Sequence, residues 1–319
     1  MKPRISVVVP TYARAELVLQ VLVPLLDDPA VDELVVVVDG SPDDTAERLE
    51  RLAARDARVR PVVIANGGLA HARQVGLEHA RHDVVLMLDD DVLASPGLVS
   101  GHLAEHRREP GRVVLGSMPT RRVVRRRSED VTTLLYEKAY DNATSGYLRD
   151  PGHVLEEFWA GNMSFPRELA LAVGMTTPGG PHLAVFEDHD LGLRLRAAGA
   201  RAAYIPSLAA THLHTRTLPR FVNDSRRQGA AMQDMHRAHP DDVPEPTGRW
   251  IAGRLPAPAA ALVTAAARSP RAARTGVAVA SAAVRTAGAL RLWPVQDVAI
   301  VLLQRVAQAD GARAWSAGA

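Results

Sequence analysis

Residues 84–92 read V-V-L-M-L-D-D-D-V, five apolar residues running straight into three carboxylates. An apolar run of strand length leaves no polar face for water, so it belongs to a sheet covered on both sides, as in parallel α/β proteins. The acids then mark where the strand leaves the core, at its carboxyl end. Three adjacent carboxylates repel one another unless a cation neutralises them, and hard divalent ions favour carboxylate oxygens and bring phosphate ligands with them. If the chain stays extended, alternation puts Asp89 and Asp91 on the same side. A solvated acidic turn is the plainer reading of the same residues.

The first half of the chain repeats this grammar. Short β-branched runs at 5–9, 34–38, 61–64, 84–88 and 113–115 read as strands, and amphipathic segments at 15–26, 44–54, 69–79 and 96–106 read as helices, the last with Ser95 as N-cap and Pro96 at the first helical position. Alternation of this kind predicts right-handed βαβ units and a mostly parallel sheet flanked by helices, a Rossmann-like α/β class, with ligands beyond the carboxyl ends of the strands. Residues 116–185 are irregular in pattern and read as loops shaping a pocket. Periodicity returns at 187–198, stopped by Gly199, and at 221–239. Past Pro240 the prolines at 244, 246, 256 and 258 mark a linker, so the division expected is a domain at 1–239 and a Pro-containing linker with an Ala/Arg-rich helical tail at 240–319.

Composition removes several classes. No cysteine is present, which excludes disulfides, thiolate metal sites and cysteine nucleophiles and is compatible with a reducing cytosol. Only 4% of residues are aromatic against 47% hydrophobic, so the core is aliphatic. The start has no signal-peptide pattern, and no apolar run reaches the ~18 residues needed to span a bilayer, so a cytoplasmic protein, with peripheral contact to the inner membrane face, is expected.

Chemistry-bearing residues cluster at the strand ends. S-V-V-V-P-T-Y and V-V-D-G-S place Pro10, Tyr12 and Asp39 at neighbouring positions, where an aromatic face and a carboxylate suit a planar heterocycle; Asp39-Gly40-Ser41 serves equally as an ordinary turn. N-G-G-L-A-H-A-R, residues 66–73, opens a helix, and its backbone N–H groups with Arg73 suit a phosphate. It matches neither G-x-G-x-x-G nor G-x-x-x-x-G-K-[ST], which argues against dehydrogenases and P-loop NTPases. V-F-E-D-H-D, residues 185–190, puts acids at a helix start, where Asp188 is either a cap or a general base. In T-H-L-H, His212 and His214 lie on one side of an extended segment, and either is a candidate imidazole ligand or a structural histidine.

Taken in order, S-V-V-V-P-T-Y, V-V-D-G-S, N-G-G-L-A-H-A-R, L-D-D-D-V, G-N-M-S-F-P-R, F-E-D-H-D-L-G-L-R-L and H-L-H resemble the family-two inverting glycosyltransferases of the GT-A fold, across roughly residues 4–215. The resemblance implies transfer of a sugar from a nucleotide-sugar donor to a hydroxyl of a glycan, lipid-linked or small-molecule acceptor, with inversion and with bound Mn²⁺ or Mg²⁺. It implies a nucleoside pocket at Pro10, Tyr12 and Asp39, and donor contacts from Arg73, Asp89 and Asp90. Metal ligation falls to Asp91, Asp89 and His212, with His214 in reserve. Asp188 matches the catalytic base, and Glu187, Trp159, Gly161 and Asn162 match the sugar and acceptor side. Arg14 and His71 depart from the family's usual pattern. A non-catalytic sugar-nucleotide-binding protein is the alternative, against which the retention of every candidate acid argues; a nucleotidyltransferase would leave the acidic helix start and the late histidine without a role.

The formal charge of +2 hides an asymmetry. Residues 251–319 hold eight arginines and two aspartates, and five arginines fall within residues 121–127. Such runs are commonly solvated faces, but together they suit an anionic acceptor or an acidic membrane surface. Nucleic acid is not expected as a partner, since no reader motif and few interleaved aromatics accompany the charge.

Overall fold

The computed structural model describes residues 3–121, 123–176 and 185–318, so Arg122 of the arginine run lies outside the described residues. Eight strands, β1 (Ile5–Thr11), β2 (Glu33–Asp39), β3 (Val59–Ile64), β4 (Val84–Leu88), β5 (Val92–Ala94), β6 (Arg112–Ser117), β7 (Asn162–Pro166) and β8 (Arg201–His212), form one sheet in the order β3-β2-β1-β4-β7-β6-β8-β5. β3, β2, β1 and β4 run parallel, β7 lies antiparallel between β4 and β6, and β5 runs antiparallel to β8, so the sheet is mixed.

The continuous apolar runs have the expected cause. In β1 and β2, Ile5, Val7, Val9, Leu34, Val36 and Val38 enter one core layer with α1 (Ala15–Leu26), while Val8, Val35 and Val37 enter the opposite layer with Leu77. Both faces are covered, so period-two alternation disappears from the sequence. α2 (Thr45–Ala53) and α3 (Leu69–His79) complete the βαβ crossovers.

Two expectations need correction. α4 spans Leu98–Arg108 rather than starting at Pro96, because Ser95 N–H bonds to Ala209 C=O and keeps that residue extended; the helix start is satisfied from a distance, with Asp28 accepting from Val99 N at 3.0 Å and Ser100 N at 3.1 Å. The segment read as loops contains α5 (Val131–Arg149), the short α6 (His153–Glu156), β7 and α7 (Arg167–Val173), followed by α8 (Glu187–Ala197). The chain forms two compact units, one comprising 1–121, 140–182 and 187–213, the other 122–139, 183–186 and 214–319. α9 (Leu218–Ala238) belongs to the helical unit, where Phe221 and Val222 pack with Val284, Ile300 and Leu303. That unit also holds α10 (Gly248–Ala252), α11 (Ala257–Ala266), α12 (Pro270–Ala289) and α13 (Trp293–Gly318). Among the described residues, no helix is long and apolar enough to cross a membrane.

Candidate active site

The acids fall between β4 and β5, at the carboxyl end of the parallel strands. The chain does not stay extended there: Val92 N–H bonds to Asp89 C=O, closing a turn, so Asp89 and Asp91 part company. Asp89 takes Arg73 at 2.7 Å, whereas Asp90 and Asp91 share Arg14 at 2.5 and 2.8 Å. Thr11 also donates to Asp90 at 2.8 Å. β5 pairs with β8 so that Val92 stands opposite His212, and this register sets His212 Nε2 3.2 Å from Asp91 Oδ1. His214 belongs to the helical unit, stacked on Tyr136 at 4.3 Å between ring centroids.

These surroundings drive the carboxyl groups apart. Burial pushes Asp90 up to about 6, with Arg14 and Thr11 only partly opposing it. Burial acts on Asp91 in the same sense, but the hydrogen bond and charge of His212, then Arg14, outweigh it and hold that carboxyl well below the usual carboxylate range. Among the described residues no cluster of three or more His, Cys, Asp or Glu side chains could hold a metal. Asp91 and His212, 3.2 Å apart, carry the carboxylate oxygen and imidazole nitrogen that would suit a hard divalent cation. Asp89, turned to Arg73, stands apart from that pair.

Arg73 is the hub of a second group. Expected to face a phosphate, it is only 3% exposed, with Nη1 3.6 Å from Glu187 in addition to the Asp89 contact, and its Nε has no hydrogen-bond partner among the described residues. Glu187 and Asp188 open α8, where the helix dipole favours negative charge. Burial nonetheless dominates: it pushes Glu187 up to about 7, with Asp188 adding repulsion and Arg73 opposing, and it raises Asp188 as well. Phe186, immediately before them, has φ +69, a conformation that a bulky side chain adopts only under constraint from its surroundings.

The remaining candidates divide. Tyr12 is half exposed beyond the end of β1. Pro10 is buried within β1. Asp39 accepts from Gly67 N at 2.7 Å and Gly68 N at 2.9 Å, so it fixes the N-G-G loop and uses the amides that sequence offered to a phosphate. Gly161 has φ +123, and a Cβ there would come within 2.8 Å of Asp89 Oδ2, so only glycine lets the backbone pass the acid. Trp159 meets Tyr140 edge to face at 5.5 Å. Asn162 does not face a pocket: it is 1% exposed, donates to Ser117 and Leu208 carbonyls, and its Oδ1 pairs with His102. Sequence reading treated Arg14 only as a departure and missed its pairing. Its position just after β1, beside the acids that follow the adjacent β4, was the available signal.

A mixed sheet flanked by helices, with an acidic turn at the carboxyl edge and a further helical region, is the GT-A glycosyltransferase architecture. In fold the chain resembles the mannosyltransferase PcManGT from Pyrobaculum calidifontis, solved in complex with GDP-Man and Mn²⁺, with a TM-score of 0.57 and 22% identity over 95% of this chain and 86% of that one. The chain belongs to glycosyl transferase family 2, whose sequence profile matches residues 6–168, and it is a glycosyltransferase. Among curated relatives, the uncharacterised glycosyltransferase YfnE of Bacillus subtilis is 25% identical over 276 residues, covering 72% of this chain and 70% of YfnE. EpsJ of the same organism, also an uncharacterised glycosyltransferase, is 36% identical over 99 residues, 31% of this chain and 29% of EpsJ.

Proposed function

We propose that this glycosyltransferase moves a sugar from a nucleoside-diphosphate donor to a hydroxyl of a glycan, lipid-linked or small-molecule acceptor, in the cytoplasm and with inversion. The observation that carries this reading is the split among the carboxyls: Glu187 and Asp188 are pushed up by burial while Asp91 is held down beside His212 and Arg14. Environments that separate acids in this way assign them different tasks.

Asp188 takes the proton from the acceptor hydroxyl, for which a raised carboxyl is the better base near neutral pH. The acceptor oxygen forms its bond to the anomeric carbon as the bond to the diphosphate oxygen breaks on the opposite side, so one displacement inverts the configuration. Arg73 holds Asp89 and Glu187 in place beneath that exchange, and Gly161 leaves the acid room. Tyr12 offers an exposed ring face to the nucleobase, and Asp39 orders the loop beside it. Asp91 and His212 would hold Mn²⁺ or Mg²⁺, which when bound stabilises the charge on the leaving diphosphate as a Lewis acid.

Calorimetric titration of nucleoside diphosphates and their sugar conjugates, with Mn²⁺ and with EDTA, on the native chain and on Asp91→Asn tests the donor side. A guanosine conjugate is the first to try, given the ligand of the similar mannosyltransferase. Metal-dependent binding that Asp91→Asn loses is expected; equal affinity with EDTA, or in the variant, removes the metal from the reading. Asp188→Asn should lower turnover about 100- to 10,000-fold while donor binding survives, and turnover within threefold of native would remove the base assignment.

A further inference from the structure

The turn joining α12 to α13 carries an apolar and basic tip that the transferase chemistry does not use. Between Glu245 and Asp297 the sequence holds seven arginines and no acidic residue. α12 ends at Ala289, and the chain reverses through Leu290, Arg291 and Leu292. Arg291 N–H bonds to Gly288 C=O at 3.1 Å and Leu292 N–H to Ala287 C=O at 2.8 Å, the paired bonds of a Schellman turn. The residue such a turn places in the left-handed region is ordinarily glycine; here it is Arg291, at φ +55.

The neighbouring side chains also break the usual pattern. A residue in Leu292's position normally folds back onto the helix it ends, yet Leu292 is 49% exposed and Leu290 63%. Val295 and Val298, three apart on α13 and so on one face, are 53% and 65% exposed. The turn is not a frayed end. Gln296 is fully buried and donates to Ser128 C=O at 2.9 Å, and Arg126 stacks over Trp293 at 4.8 Å. Asp297 pairs with Arg126 at 2.5 Å, and the acids that follow Ser128 lie beside Arg127, Glu129 at 3.8 Å from its guanidinium and Asp130 accepting from its backbone N–H. A rigid elbow therefore presents leucines and valines around an exposed arginine, with Arg285 exposed one turn back on α12.

We propose that this tip docks the chain on an anionic lipid bilayer, with Leu290, Leu292, Val295 and Val298 entering the headgroup–acyl boundary and Arg291 and Arg285 meeting the phosphates. The charge decides the occupant: a surface apolar at its apex and basic around it, whose neighbouring acids lie beside Arg126 and Arg127, matches the interface of an anionic membrane, where apolar burial and electrostatic attraction add.

The test is co-sedimentation of the full chain with phosphatidylcholine vesicles, with and without about a third of phosphatidylglycerol. The native chain is expected to partition at least about tenfold better onto the anionic vesicles, and Leu290→Ser with Leu292→Ser to lose about tenfold or more at an unchanged melting temperature. Arg291→Gly is the second arm. Relieving the left-handed residue should raise the melting temperature while weakening vesicle binding, a combination that loss of fold cannot produce. Equal partitioning of native and variant chains, absence of binding to anionic vesicles, or a concentration-dependent dimer that the serine variants abolish in place of vesicle binding would each overturn the proposal.

Discussion

Replacing Arg73 by methionine tests whether the second acidic group is held together by charge. Arg73 is the cation between Asp89 at 2.7 Å and Glu187 at 3.6 Å, and its side chain is 4% exposed. Removing one partner of a buried ion pair leaves the other charge uncompensated, which costs about 3–5 kcal/mol. Native domains are stable by only ~5–15 kcal/mol, so Arg73→Met should be folded but weakened. The charge origin gives the loss a pH signature. Glu187 has its folded pKa raised to about 7, so its contribution to stability is present at low pH and is lost as pH rises through 7. Between pH 8 and 6 the native protein should gain on the order of 1 kcal/mol from this one proton. Arg73 opposes the rise in Glu187, so without it the folded pKa lies higher still and the variant gains more than the native protein over the same range. The gap between variant and native should therefore narrow on acidification. Urea unfolding followed by circular dichroism at pH 6, 7 and 8 measures this, with Arg73→Lys, which keeps the charge, as the control expected to show a pH-invariant gap. A constant gap for Arg73→Met would show that the guanidinium acts by packing and refute the electrostatic reasoning.

Asp28→Ala should cost about 1–3 kcal/mol, read as a lowered urea midpoint, because the Val99 and Ser100 amides lose their acceptor at the start of α4. His106, buried beside Ser164 with its pKa pushed down to about 4, is neutral in the fold and charged in the unfolded chain below about 6.5. Its stabilisation is thus complete above that pH and falls as pH drops. Between pH 7.5 and 5 the native protein should lose about 2 kcal/mol relative to His106→Gln, and parallel stability curves for the two would count against this. Gly161→Ala should abolish turnover with the fold largely kept, since the new Cβ meets Asp89 at 2.8 Å in a left-handed backbone; turnover near the native level would show that the acid can move aside.

The parallel half of the sheet was legible because burial on both faces writes an unbroken apolar run, as in β2 and β4, and the bounds of α1 and α3 followed from their periodicity. β7 escaped notice because its sequence N-M-S-F-P buries Asn162 and Ser164, polar residues satisfied by His102 and His106, which no local pattern announces. β8 escaped because it is alanine-rich and interrupted by Pro206, near which its register against β6 shifts. At the site, the residue types were readable and the partnerships were not. Arg14 with Asp90, Arg73 with Asp89 and His212 with Asp91 arise from strand order and register, which join positions that the chain keeps far apart.

The antiparallel β7 also sets the order in which the molecule can be built. As the chain emerges from the ribosome, β1 to β4 are complete by residue 88 and can pair at once, but β4 meets β7, and β6 meets β7 and β8, only after residues 162–212 have followed. Until then the open edge of β4, V-V-L-M-L, and the unpaired β6, R-V-V-L-G-S, remain available to other nascent chains, the circumstance in which sheet edges aggregate. Slow translation between residues 89 and 161 would lengthen that exposure, so yield on expression should depend on synthesis rate more than on the stability of the finished fold.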